Sequence, residues 1–213
     1  MLSKRLTEIS KLVDKNKVVF DVGSDHALLP CFLVQNGISP KAYASDNKEG
    51  PLKKAVENIN KLGLTGKVIP VLGDGLENIS DDVDIITICG MGFYTIKQIL
   101  EGKDLNRYDK IIVQSNKDND LLRSFINSQN YSIINEVVIF DGFYYEAIVI
   151  NPKSKTEYSD LELKYGPILL KRKDENFINY LKYKKDKLIQ IYKRSCQESL
   201  LKEIDEINKI LDN

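Results

Sequence analysis

The sequence predicts an α/β protein: a doubly wound, mostly parallel sheet with an antiparallel hairpin at one edge, followed by a helical hairpin. Three observations carry that prediction. Five short apolar runs, at 18–22, 41–45, 68–72, 84–89 and 110–114, end in turns marked by Gly, Asp or Asn, and most are separated by stretches of helical periodicity. Two longer runs, 132–140 and 143–150, meet at Asp141-Gly142, a strong hairpin signal. Beyond Pro152 apolar residues recur at helical spacing. Alternating units of this kind cross over right-handed and place ligands beyond the carboxyl ends of the strands.

In chain order, Ser3 is suited to cap an amphipathic helix over Lys4–Val13, with Leu6, Ile9, Leu12 and Val13 on one face. Lys4 and Arg5 begin that helix and would border the crevice, where they would meet a phosphate or carboxylate. Val18–Val22 reads as a strand covered on both faces and interrupted only by Asp21. Gly23 bends the chain, and Ser24 and Asp25 are N-cap types for a helix through Ala27–Asn36. The next strand, Lys41–Ser45, ends in Asp46, and Pro51 suits the first position of a helix to Leu62 closed by Gly63. Strand Val68–Leu72 runs into Gly73-Asp74-Gly75. Strand Asp84–Cys89 runs into Gly90-Met91-Gly92 and a helix over Tyr94–Leu100. Strand Lys110–Gln114 ends in Gln114-Ser115-Asn116, before a helix over Asn119–Gln129.

The boundary between sheet and extension is expected at 152/153, giving domains 1–152 and 153–213. In the extension, Asp160–Tyr165 is a short helix stopped by Gly166-Pro167. Two helices then meet near 195–199, the second with Leu200, Ile204, Ile207 and Leu211 at coiled-coil spacing.

The 213 residues carry 31 basic and 31 acidic side chains, so net charge implies no polyanion partner. Local charge does: residues 151–194 hold 12 Lys/Arg against 6 Asp/Glu. Lys182, Lys185 and Arg194 of that stretch are candidate contacts to a phosphate backbone. Cys31, Cys89 and Cys196 have neither disulfide nor zinc spacing, so inert thiols and no metal are expected. With no signal peptide and no apolar run of membrane-spanning length, a cytoplasmic protein without a membrane partner is expected, as monomer or weak dimer.

The turns decide the ligand. G-x-G-x-x-G and the phosphate-binding P-loop are both missing, and Asp21 and Asp25 would repel a pyrophosphate. Acids at three successive strand ends instead suit a cofactor with ribose and adenine but no phosphate, which describes S-adenosylmethionine. Asp21 and the Gly23 turn would face its cationic methionine end. Asp46 would take the ribose hydroxyls. Asp74 would accept from the adenine amino group, with the Gly75 N–H facing a ring nitrogen. Arg5, Ser24, His26, Asn47, Gly90 and Met91 complete the expected cofactor set.

The motif Asp21-Val22-Gly23-Ser24-Asp25-His26-Ala27, continuing to Leu29-Pro30, resembles the bacterial tRNA (adenine-N1)-methyltransferases that act on adenosine 22, the TrmK family. So do Gly73-Asp74-Gly75-Leu76, Gly90-Met91-Gly92 and Tyr145-Glu146. The resemblance spans essentially the whole chain. It implies a Rossmann-like class I methyltransferase sheet with a C-terminal coiled-coil hairpin, and methyl transfer from S-adenosylmethionine to N1 of a tRNA adenine. The chain departs from the family pattern at Phe93, where a glycine is usual, and at Ser115, where a proline is usual. Asn/Asp-Pro-Pro-Tyr/Phe, used to grip exocyclic amines, is absent after the fourth strand. A ring nitrogen needs no such grip, because its lone pair lies in the plane and positioning suffices. Asp25 or His26, with Asn116, are the expected catalytic residues; Phe93 and Tyr94 are expected to stack on the base, and Lys4 to hold the tRNA. The same fold acting on a small molecule or protein, or a silent nucleotide-binding module, are the competing readings.

Overall fold

A computed structural model describes residues 2–212. Its strands are β1 (Val19–Val22), β2 (Ala42–Asp46), β3 (Val68–Leu72), β4 (Ile85–Met91), β5 (Lys110–Ser115), β6 (Ser132–Asp141) and β7 (Phe143–Asn151). They form one sheet in the order β3-β2-β1-β4-β5-β7-β6. The first five are parallel, and β7 pairs antiparallel with both β5 and β6. The chain winds outward from β1 to β3, then returns to the other side of β1. The β1–β4 junction is therefore the switch point where a crevice opens.

The helices are α1 (Lys4–Ser10), α2 (Leu28–Gln35), α3 (Glu49–Lys61), α4 (Phe93–Leu100), α5 (Asn119–Ser128), α6 (Asp160–Tyr165), α7 (Pro167–Arg172), α8 (Glu175–Ser195) and α9 (Ser199–Asp212). Ile9, Leu29 and Leu33 from α1 and α2 pack on Val19, Ile85 and Ile112 of the sheet. Ala55 and Ile59 of α3 pack on Ala44 and Val68. Ile96, Leu100, Leu122 and Ile126 of α4 and α5 pack on Phe20, Ile86, Ile111 and Val113. Each fully buried aliphatic side chain contributes about 1.5–3 kcal/mol.

The structure departs from the sequence expectation at several element ends. The first helix stops at Ser10, while Ser3 caps it as expected, accepting from Leu6 N at 3.2 Å. Helix α3 starts at Glu49, so Pro51 sits inside its first turn, where its missing N–H costs nothing. Ser24 and Asp25 cap no helix. Residues 25–27 form a 3-10 turn in which His26 (φ 56°) and Ala27 (φ 52°) are left-handed, and α2 begins only at Leu28. Two such non-glycine residues are costly. Ala27 is fully buried with Cys31, Ala44 and Ile59, and Asn58 Nδ2 donates to His26 O at 2.8 Å, which holds the turn.

The tail does not stand as an independent coiled coil. Ile207 and Ile210 of α9 bury together with Phe177 and Leu181 of α8, Tyr165, Leu169 and Val138 of β6. Leu211 is only partly buried there. Beneath them lies a buried ion cluster. Arg123 Nε donates to Glu136 Oε1 at 2.6 Å, and Arg123 Nη2 donates to Glu146. Glu136 Oε2 also accepts from Ile168 N, at 2.9 Å, in the first turn of α7. Gly166 (φ +95°) precedes that turn; a Cβ there would stand 2.8 Å from Glu136 Oε2 and 3.0 Å from Arg123 Nη2. Gly166 lets the backbone approach the cluster and ends α6 after Tyr165, where the Gly-Pro pair was expected to stop that helix, and Pro167 then starts α7.

Candidate active site

Three cavities follow one another along the carboxyl ends of β4, β1, β2 and β3. The first, about 280 Å³, is lined by Arg5, Asp21, Gly23, Asp25, Leu28 and Gly90 among others. A narrow cleft of about 70 Å³ joins Gly23, Asp46, Asn47, Asp74, Gly75 and Met91. The third, about 390 Å³, holds Asn47, Asp74 and Gly75 with Gln98, Ile99 and Lys103.

Asp21 is the chemical centre of the first cavity. It is buried in β1, opposite Thr87 in the β1–β4 register, and Thr87 Oγ1 donates to its Oδ1 at 2.6 Å. Burial pushes its carboxyl up to about 6, against the pull of Thr87 and the nearby Ser24 hydroxyl. The guanidinium of Arg5 lines the same cavity. It donates through Nη1 to Gln114 Oε1, lies 5.3 Å from the Tyr145 ring centre, and makes no ion pair among the described residues. An unpaired guanidinium beside a buried carboxyl suits a zwitterion, the amino-acid end of the expected cofactor.

Gly23 is required by its neighbours as well as its turn. Its φ is +68°, and a Cβ would fall 2.2 Å from Met91 Cε. The Met91 methyl therefore sits over Gly23 at the neck between the first two cavities. Beyond the neck, Asp46 Oδ1 accepts from Lys48 N at 2.9 Å, and Asn47 Nδ2 donates to Asp74 Oδ1 at 3.3 Å. Gly75 (φ +58°) presents bare backbone against Ile99. Carboxylates thus face the middle and far cavities, an arrangement that fits ribose and adenine.

Other expected site residues lie elsewhere. Ser24 is buried, its N–H donating to Ser45 O at 2.8 Å. His26 is outside the lining of the three cavities; its Nε2 lies 3.4 Å from Asp25 Oδ1, an exposed pair at the rim. Asn116 braces the β4 loop: its Nδ2 donates to Gly90 O at 2.8 Å and its Oδ1 accepts from Gln114 Nε2 at 3.2 Å. Phe93 is buried in the core under α4, which removes it as a stacking surface, whereas the neighbouring Tyr94 is 70% exposed. Lys4, Lys182 and Arg194 are exposed. Lys185 is turned to α9, donating to Asn208 Oδ1 at 3.2 Å.

Sequence reasoning missed Gln114, whose Oε1 accepts from both Arg5 and Gly90 N (3.1 Å) and so ties the first helix to the β4 loop. A glutamine ending an apolar strand was the available signal. Thr87 gave none, because only strand pairing sets it against Asp21. Cys89 lines the first cavity, where burial, then the neighbouring Asp21, push its thiol well above the usual range, so it supplies no thiolate. Among the described residues no group of three His, Cys, Asp or Glu could hold a metal, and no helix is long and apolar enough to cross a membrane.

Comparison with known proteins places this geometry. The sequence model of the tRNA (adenine(22)-N(1))-methyltransferase family, TrmK, matches residues 19–213. A Bacillus subtilis tRNA (adenine(22)-N(1))-methyltransferase is 36% identical over 186 residues, 83% of this chain and 78% of that protein. A Streptococcus pneumoniae protein solved in complex with S-adenosyl-L-methionine superposes with a TM-score of 0.91 at 32% identity, covering 99% of this chain and 100% of that one. M. capricolum TrmK bound to S-adenosyl-homocysteine gives 0.87 at 33% identity, covering 100% and 98%.

Proposed function

The chain belongs to the tRNA (adenine(22)-N(1))-methyltransferase family, and from that membership we propose that it methylates N1 of adenosine 22 in tRNA with S-adenosylmethionine as donor. The observation that carries this reading is that Asp21 and Arg5 line one cavity at the switch point, with Asp46 and Asp74 at the next two strand ends. S-adenosylmethionine supplies the electrophilic methyl when bound.

The chain's own residues bind and position. Asp21 takes the ammonium and Arg5 the carboxylate of the amino-acid end. Asp46 and Asn47 take the ribose hydroxyls, and Asp74 with the Gly75 backbone reads the adenine edge. No general base is needed before transfer, because N1 already carries an available lone pair. Methylation leaves positive charge on the acceptor adenine, and the Asp25 carboxylate at the mouth of the first cavity offsets it. Asn116 and Gln114 fix the Gly90–Met91 backbone, against which the acceptor base lies. Tyr94 offers an exposed ring for stacking, and Lys4, Lys182 and Arg194 contact the tRNA backbone. The acceptor edge faces inward in folded tRNA, so the base is extruded before transfer. A tRNA substrate supports a cytoplasmic location for the reaction.

The test is to incubate the protein with labelled S-adenosylmethionine and unmodified tRNA, then map the methylated nucleoside. N1-methyladenosine at position 22, lost when that base is replaced by guanosine, is expected. Label at another nucleotide, or none in tRNA, would overturn the assignment.

A further inference from the structure

The tip of the β6–β7 hairpin and the facing side of α8 enclose a groove that adjoins the methyl-transfer site at Asn116. Its volume is about 440 Å³, and it is lined by Phe143, Tyr144, Tyr145, Tyr180, Tyr183 and Lys187, reaching Asn116 at one end. The aromatic rings are ordered by one another. Tyr144 lies 4.9 Å from Phe140, 5.5 Å from Tyr180 and 5.2 Å from Tyr183, centre to centre, in tilted pairs. Yet the cluster is open to solvent: Phe143 is 70% exposed, and Phe140 and Tyr183 are also exposed. So many exposed rings in one place are a recognition surface rather than leftover core.

We propose that this groove stacks an unpaired nucleobase of the tRNA close to the one that is methylated. The inference rests on the tRNA reading above and names a subsite for it. Asn116, which braces the reacting loop, lines the groove at one end, so a base held here lies next to the methyl-transfer site. Lys187 Nζ stands 4.5 Å over the Tyr183 ring and makes no ion pair among the described residues, placing one cation at the rim for a backbone phosphate. The adjoining cavity is not basic: Lys164 and Lys184 both pair with Glu203, and Asp118, Asp120 and Glu146 line it too. Attraction to the groove therefore comes chiefly from ring faces, whose stacking on a base is sequence-tolerant, while the salt dependence of binding comes from the cations that meet phosphates. Tyr and Phe lose few torsions on binding, and this set is already packed.

The experiment measures methylation kinetics on an unmodified tRNA transcript, with S-adenosylmethionine affinity and melting temperature as controls, for Phe143→Ala, Tyr183→Ala, Phe143→Trp and Lys187→Gln. The two alanine variants should raise the KM for tRNA roughly 5- to 150-fold, the range expected from lost stacking. Cofactor affinity, melting temperature and the slope of log affinity against log salt should stay at wild-type values. Phe143→Trp should keep tRNA affinity at the wild-type level, and Lys187→Gln should make the salt slope shallower. Unchanged KM in both alanine variants overturns the groove. A parallel fall in cofactor affinity overturns it too, since the rings would then act through the cofactor site. Wild-type protein that transfers no methyl to tRNA refutes the proposed function itself, a result separate from either of these.

Discussion

Asp21 sets a conflict between stability and binding, and that conflict can be measured. Its carboxyl titrates near 3.8 when exposed and near 6 in the folded protein, chiefly through burial. The difference of about 2 pH units corresponds to about 3 kcal/mol. Because the folded value is the higher, this stability is fully present below pH 3.8 and is lost as pH rises through about 6. Most of it, about 2 kcal/mol, disappears between about pH 4 and pH 8. Asp21→Asn keeps an acceptor for the Thr87 hydroxyl and removes the titration. Urea unfolding of both proteins across that range should show wild type losing about 2 kcal/mol relative to the variant as pH rises. Calorimetric titration with S-adenosylmethionine should show the reverse ranking: wild-type affinity climbing through pH 6 as the carboxylate ionises to meet the ammonium, and the variant weak and nearly flat. A stability difference that does not move with pH would refute the buried-carboxylate account. Equal cofactor affinity in the variant at pH 8 would refute its pairing with the ammonium.

Other outcomes follow from the same geometry. Gly23→Ala places a Cβ on Met91 Cε and forces a left-handed alanine, so S-adenosylmethionine affinity should fall roughly tenfold or more by calorimetry. Asp74→Ala should weaken cofactor binding with an unchanged melting temperature; unchanged affinity would remove Asp74 from the adenine edge. Arg123→Met leaves Glu136 and Glu146 buried without their cation and should cost about 3–5 kcal/mol in urea unfolding. Gly166→Ala should destabilise in the same assay by pressing on that cluster.

The sequence was informative where a residue's chemistry contradicts its local setting. Asp21 inside an apolar strand, Asp46 and Asp74 at strand ends and Gly23 in a tight turn each stand out from neighbours that packing alone would choose, and the structure brings all four to the same crevice. Strand positions were legible for a related reason: short β-branched runs have few alternatives between glycine-rich turns. What was illegible depends on partners distant in the chain. His26 and Ala27 adopt left-handed backbone that their residue types do not suggest, held by burial of Ala27 and by Asn58 from α3. Phe93 reads as a pocket residue from its place after Gly90-Met91-Gly92, but as the first residue of α4 it is buried in the core.

The tail shows the same limit and yields a sharper test. Charged residues scattered along a sequence look like surface, so Arg123, Glu136 and Glu146 gave no sign that they form one buried cluster. That cluster binds the first turn of α7 through Glu136 and a turn closed by Gly166, and α7, α8 and α9 cover Val138 of the sheet above it. Pro152 ends the sheet, but it does not end the core. Cutting after it uncovers Val138 and strips the Glu136 carboxylate of two backbone donors, Ile168 N and Leu169 N. A chain truncated there should melt at lower temperature or fail to fold, with near-ultraviolet circular dichroism as the readout. A truncated form with wild-type stability and cofactor affinity would show instead that the sheet is self-sufficient and that the helices serve the tRNA alone.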